Sequence, residues 1–243
     1  MASAGVRVLK PVGNYLWRKA AKNLALGILL LVPSLVLLIT SIDVLPFYID
    51  FYRYETDRGL IMGALLMAGF LYGIYPFRKY RSGLIGEKKV AETLTAALSS
   101  EFSLFNDVTL KNWEKSNIDH IVVGPTGIFA IETKNNKGEI SYYGDNWEGI
   151  NGQPSVQARI NAVRIRNILK NSEEFKQRTP LVQGVVVFSN KEARLIPKKT
   201  PDWVKVLRIE ELAGFLMNEP RKLAVQDIDS IEMEIDKNIS NNG

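Results

Sequence analysis

Asp119, Glu132 and Lys134 are residues whose types and spacing could do chemistry in this chain. Two carboxylates converging at strand ends make an all-oxygen site of the kind that holds Mg²⁺ or Mn²⁺, with one or two carboxylates completed by water. A metal held there can generate hydroxide and stabilise charge on a phosphorus under attack. A lysine beside it can orient the attacking water or neutralise charge on the scissile phosphate. An arbitrary Glu-x-Lys is more often a surface ion pair at a strand end. The setting of this one sets it apart.

Residues 117–134 read NIDHIVVGPTGIFAIETK. Two apolar runs, Ile118–Val123 and Ile128–Ile131, flank Gly124-Pro125-Thr126-Gly127, which is the pattern of a β-hairpin closed by a short turn. Side chains alternate along a strand, so Ile128, Ala130, Glu132 and Lys134 share one face. Pairing outward from a tight turn brings Asp119 near the level of Glu132. His120 and Thr133 alternate to the other side. His120 is expected to be structural, and Thr133 to offer a site only its backbone carbonyl.

The same stretch resembles the core of the nuclease-related domain (NERD) family of the PD-(D/E)XK nuclease superfamily. The ordered pieces run from Gly86-Glu87 at the head of a helix through Ile118-Asp119-His120, Gly124-Pro125-Thr126-Gly127 and Glu132-Thr133-Lys134. A later Trp147, Pro154-x-x-Gln157 and the strand ending at Phe188 complete them, over less than half of the chain. The superfamily's proline before the aspartate is Ile118 here, a departure that leaves the acid in place. The resemblance implies a restriction-endonuclease-like fold and hydrolysis of nucleic acid, with DNA the expected substrate. It also implies metal binding by Asp119 and Glu132, with Glu87 as a further acid and Gln157 orienting substrate or water. Read without the resemblance, Glu87 lies on the buried stripe of a helix with Val90, Ala91, Leu94 and Leu98. It could equally be an acid placed near a positive helix terminus.

The composition narrows the alternatives. The chain has 243 residues, no cysteine and one histidine. Disulfides, zinc-thiolate sites and thiol nucleophiles are excluded, and a Ser-His triad or His-based metal site is disfavoured. No G-x-x-x-x-G-K-[ST] loop is present, which disfavours NTP hydrolysis. The formal net charge of +5 is a modest basic bias, compatible with nucleic acid or an anionic membrane surface.

The N-terminal third has another character. Residues 1–23 carry Arg7, Lys10, Arg18, Lys19 and Lys22 without an acid. Leu24–Ile42 and Leu60–Phe77 are uncharged runs, each near the ~20 residues that span a bilayer. Asp43–Gly59 between them is polar, and Arg78, Lys79 and Arg81 follow the second run. This charge pattern predicts a transmembrane hairpin in the cell membrane with both termini cytoplasmic. Gly69-x-x-x-Gly73 offers a face for packing the hairpin on itself or on a second copy.

Ser82-Gly83 is read as a break, followed by a helix to about Ser99. Phe102–Leu110 is read as a strand interrupted at Asn106-Asp107, and Lys111–Asn117 as a turn. Glu139–Tyr143 is a third strand after the hairpin. Tyr142, Tyr143 and Trp147 are available for core packing or for stacking on bases. Ser155 is the expected N-cap of a helix reaching Lys170. Val156, Ile160, Val163 and Asn167 form one of its stripes, and Arg159, Arg164, Arg166 and Lys170 supply candidate phosphate contacts. Leu181–Phe188 and Val204–Ile209 read as strands, Glu210–Met217 as a helix, and the polar end from Ile239 as frayed.

The expected architecture is α/β: a helix, a three-strand meander, a helix and a strand in a restriction-endonuclease-like core, preceded by two transmembrane helices. The expected segments are 1–23, 24–81, 82–220 and 221–243. The expected function is a membrane-anchored, Mg²⁺- or Mn²⁺-dependent nuclease. The competing reading is a membrane-tethered module that binds nucleic acid, or acts as a scaffold, without cutting.

Overall fold

The computed structural model describes residues 5–13, 15–41, 55–113 and 116–240. Residues 43–54, most of the expected polar connection, lie outside the described residues, as do residues 114–115 of the expected turn and residues 241–243 of the expected frayed end. The chain divides into two compact units, one of residues 14–84 and one of residues 1–13 with 85–243.

The first unit is helical. It holds α1 (Tyr15–Ser41), α2 (Glu55–Gly69), a π-helical turn (Phe70–Ile74) and the start of α3 (Tyr75–Ala97). Trp17–Val36 and Ile61–Ala97 are long and apolar enough to cross a membrane. Ile28, Leu29, Val32, Leu35 and Leu71 are exposed, the inverse of a water-soluble helix pair. Gly27 and Gly73 let the helix backbones touch. A Cβ on Gly73 would fall 2.3 Å from the Gly27 Cα. The small-residue face is therefore occupied by this chain's own α1.

The expected break at Ser82-Gly83 is not there, and α3 runs unbroken from Tyr75 to Ala97. A glycine costs a helix only about 1 kcal/mol. Burial of Val90, Ala91 and Leu94 on the same helix outweighs that cost.

The second unit is mixed α/β. Its main sheet has six strands in the order β1 (Arg7–Lys10), β2 (Ser103–Thr109), β3 (Asn117–Gly124), β4 (Gly127–Lys134), β7 (Val182–Phe188) and β9 (Val204–Arg208). Strands β2, β3 and β4 form an antiparallel run that contains the expected hairpin. Strand β7 joins β4 in parallel over its whole length, and β9 joins β7. One face packs α3 and α5 (Ile209–Asn218) through Val90, Leu94, Val122, Ile131 and Leu212. The other packs α4 (Pro154–Asn171) and α6 (Val225–Lys237) through Ile121, Ile128, Ile165, Leu169 and Ile231.

Several expectations need correction. The segment Glu139–Tyr143 does not extend the meander. As β5 (Gly138–Tyr143) it forms a separate sheet with β6 (Asn146–Glu148) and β8 (Ala193–Lys199), in the order β6-β5-β8. Gly138, at φ 87°, turns the chain away, and the Val185–Phe188 run takes the place beside β4 because it is buried on both faces. The basic N-terminus supplies β1, an edge strand parallel to β2. The residues past 221, expected as a tail, supply α6, and the Ser240 N–H reaches the Thr109 carbonyl at 2.8 Å. Ser155 is not an N-cap: α4 starts at Pro154, with Gln153 at the N-cap position and no side-chain cap. The Ile160–Val163 stripe is exposed, and Ala158, Asn161, Ala162 and Ile165 face inward. Small residues let α4 lie close to the sheet, where Gly184 meets the Ala158 backbone.

Candidate active site

The hairpin closes as expected. Gly124 pairs with Gly127, and the register runs outward to His120 opposite Ile131. One step further come Asp119 and Glu132. Asp119 Oδ2 accepts the Thr133 backbone N–H at 2.6 Å. Two residues on, Lys134 Nζ donates to Glu132 Oε1 at 2.7 Å and to Gln157 Oε1 at 3.0 Å. The ammonium thus ties the end of β4 to the first turns of α4.

Glu87 arrives from α3. It lies on the buried stripe, as read from the sequence. The preceding Gly86 explains how the helix gets close enough: a Cβ there would lie 2.8 Å from both Asn135 Cβ and Ser189 Oγ. Ser189 is fully buried at the end of β7. Its N–H donates to the Lys134 carbonyl at 2.9 Å, and Lys89 of α3 donates to the Ser189 carbonyl. Helix and strand ends are therefore knitted together by backbone groups around the acids.

The electrostatics reflect that convergence. Burial, then the charges of Asp107 and Glu132, push Glu87 up to about 8, against the pull of Lys134. Burial, then Glu132 and Glu87, hold Asp119 well above the usual carboxylate range, although the Thr133 N–H and Lys134 favour its charged form. Burial alone would lower Lys134. The charge and hydrogen bond of Glu132, with Asp119 and Glu87 behind it, instead push it up. Acids that suppress one another's ionisation around a retained cation form a site short of positive charge.

Asp107 is a fourth acid that the motif reading missed. It sits in β2 at φ 52°, a left-handed backbone position uncommon for a non-glycine residue. Its Oδ1 accepts from Asn117 Nδ2 at 2.5 Å, and its carbonyl accepts from Lys10 of β1. The signal was the Asn106-Asp107 interruption of an apolar strand. His120 is structural, as expected. It is fully buried, and burial lowers its pKa to about 3. Asn106 spends its amide N–H on the Lys10 carbonyl at 3.0 Å, so the His120 Nδ1–H must donate to Asn106 Oδ1 at 2.7 Å.

The basic residues of α4 divide. Arg159 forms a two-pronged pair with Asp145 at 2.7–2.9 Å. Arg164 lies over the Trp113 ring at 5.7 Å and donates to Ser116 and to Asn161. Arg166 and Lys170 are exposed. Tyr142 and Trp147 stack on each other at 4.6 Å, with Trp147 against Phe188, so these two are used in packing. Tyr143 stays exposed.

The donor set is carboxylate and carbonyl oxygen, which suits a hard divalent cation. Among the described residues no three His, Cys, Asp or Glu side chains are drawn together as tightly as a bound ion would hold them. Asp119 and Glu132 are the pair fixed at one level.

Residues 82–189 match the family model of the nuclease-related domain, NERD. That stretch contains Glu87, Asp107, Asp119, Glu132, Lys134 and Gln157. It marks this part of the chain as nuclease-related. No curated protein and no solved structure matches the chain.

Proposed function

We propose that this chain is a metal-dependent nuclease with a restriction-endonuclease-like core, hydrolysing phosphodiester bonds of nucleic acid, with DNA the expected substrate. The observation that carries the reading is the Lys134 ammonium held between Glu132 and Gln157, with Asp119 fixed at the level of Glu132. A binding or scaffold module gains nothing from acids that face a phosphate backbone.

Asp119 and Glu132 would hold Mg²⁺ or Mn²⁺, with Glu87 as the further acid. Such an ion would supply Lewis acidity at the phosphate and a bound water of lowered pKa. Lys134 donates to a non-bridging oxygen of the scissile phosphate or orients the attacking water. Gln157 holds that ammonium in place and keeps it from collapsing wholly onto Glu132. In the overall hydrolysis the water oxygen bonds to phosphorus, the phosphorus–oxygen ester bond breaks, and the leaving oxygen gains a proton.

The two apolar helices anchor the protein in a bilayer, with the nuclease-related unit on the cytoplasmic side as the flanking charges predict. The purified full chain should cleave DNA with Mg²⁺ and stop when chelator is added. Cleavage unaffected by chelator, or absent with every divalent ion tried, overturns the proposal.

A further inference from the structure

We propose that Trp203 and Tyr143 form a stacking platform for the unpaired bases of single-stranded nucleic acid. Its role in catalysis rests on the nuclease reading, but its binding chemistry does not. Trp203, in the loop between β8 and β9, is 84 % exposed at φ 61°. A left-handed backbone is uncommon for a side chain of this size. The domain does not bury this ring.

Tyr143, at the end of β5, is 58 % exposed, whereas its neighbour Tyr142 is packed against Trp147. Lys199 is paired with Tyr143 across the sheet, and its ammonium lies over the Tyr143 ring at 5.6 Å. An aromatic face with a cation beside it suits a base and its phosphate.

Arg159 builds the platform. It grips Asp145, two residues beyond Tyr143, and its Nε donates to the carbonyl of Asp202, the residue before Trp203, at 3.3 Å. One guanidinium therefore holds both loops. The stretch 193–208 carries Arg194, Lys198, Lys199, Lys205 and Arg208 against a single acid, Asp202. Lys198 pairs with Glu148 and Arg208 with Glu210, so the cations offered to a polyanion include Arg194 and Lys199. The platform is also close to the proposed chemistry. Arg159 is two residues from Gln157, which accepts from Lys134. Positions i and i+2 point to nearly opposite sides of a helix about 10–12 Å across. A strand leaving the Lys134 end of β4 would reach the platform after crossing the first turns of α4.

Unpaired bases are the favoured ligand because only they offer a free ring face. The test uses the full chain in neutral phosphatidylcholine nanodiscs with chelator present, so that nothing is cut. Labelled oligothymidylate and a blunt hairpin duplex are the probes. Trp203→Ala should weaken oligothymidylate binding about tenfold or more, Trp203→Phe should retain most of it, and blunt-duplex binding should not change. Wild-type tryptophan emission should shift with oligothymidylate, and this shift should vanish in Trp203→Ala.

Unchanged oligothymidylate binding by Trp203→Ala overturns the platform, as does an equal loss for both probes. It is also overturned if phosphatidylserine nanodiscs alone produce the Trp203 emission shift, which would make the surface a membrane contact. A protein that stacks but never cleaves sinks the nuclease reading and leaves the platform standing. A protein that cleaves but ignores Trp203 does the reverse.

Discussion

The Asp119 carboxylate accepts the Thr133 backbone N–H at 2.6 Å, so its place is fixed by β4 and not by its own strand alone. Asp119→Asn keeps an oxygen for that N–H and removes the charge. The metal-free variant should melt higher than wild type near neutral pH, because a carboxyl whose ionisation is opposed by burial and by Glu132 and Glu87 is gone. It should also lose most of the gain in melting temperature that Mg²⁺ gives wild type. Thermal unfolding with and without Mg²⁺ measures both, and an equal gain in the two proteins would place the ion elsewhere.

Lys134 separates chemistry from binding. Its ammonium touches Glu132 and Gln157 and faces no established structural partner beyond them. Lys134→Ala should lower turnover by about 10²-fold or more, the scale of losing one preorganised charge-stabilising group. DNA affinity in chelator should change little. Wild-type turnover in this variant would reduce Glu132–Lys134 to an ion pair and favour the binding-module reading.

Glu87 makes the metal-free fold sensitive to pH. It titrates at about 8 in the folded protein, against about 4.5 in an unperturbed chain. Between those values the folded state keeps a proton that the unfolded chain has lost. This contribution to stability is therefore full below pH of about 4.5 and declines as pH rises to about 8. Asp119 is shifted in the same direction. Glu87→Gln should flatten the fall in melting temperature over this range in chelator, and Mg²⁺ should flatten it in wild type. A pH slope identical in Glu87→Gln and wild type would contradict the assignment.

The hairpin was legible because its signals are local: a two-residue turn, β-rich runs and strict alternation place Asp119 opposite Glu132. Strand β7 and the Glu87 stripe were legible for the same reason. Strand β8 was not, since Pro197, Lys198 and Lys199 break the apolar pattern of an edge strand. In α6 the Ile228–Ile231–Ile235 stripe is present. It is diluted by Asp227, Asp229, Glu232, Glu234 and Asp236, which read as a solvated tail. The facing of α4 was hidden because its inward residues are mostly small or polar, and bulk reads as burial. Asp107 joins the acids only through the pairing of β2 with β3, a relationship no spacing in the chain encodes.

Salt dependence should separate the arginines of α4. Arg166 and Lys170 are exposed, whereas Arg164 is engaged with Trp113, Ser116 and Asn161. Arg166→Ala with Lys170→Ala should weaken DNA binding and flatten its dependence on salt, with the melting temperature unchanged. Arg164→Ala should instead lower the melting temperature. The two effects are read by binding titrations at several salt concentrations and by thermal unfolding.

Strand pairing also constrains topology. Lys10 is paired with Phe105, so residues on both flanks of the apolar helices belong to one sheet. A chain that crosses a bilayer between them must cross an even number of times. A reporter active only in the cytoplasm should signal when fused after Gly243 and stay silent when placed within residues 43–54. A signal from both positions would remove the hairpin.

The pairing of Lys10 with Phe105 also sets a schedule. The two residues are 105 − 10 = 95 positions apart. At 5–20 residues per second, the first strand leaves the ribosome about 5–20 s before its partner exists. Both apolar helices are made during that interval. The earliest strand of the mixed α/β unit must stay available while the greasiest part of the chain is made. Two of its four residues, Arg7 and Lys10, are basic. Charge of that kind keeps a waiting edge soluble and discourages it from pairing with the wrong strand. Residues 7–10 thus wait through the synthesis of both apolar helices, and they close the sheet's edge only after β2 has emerged.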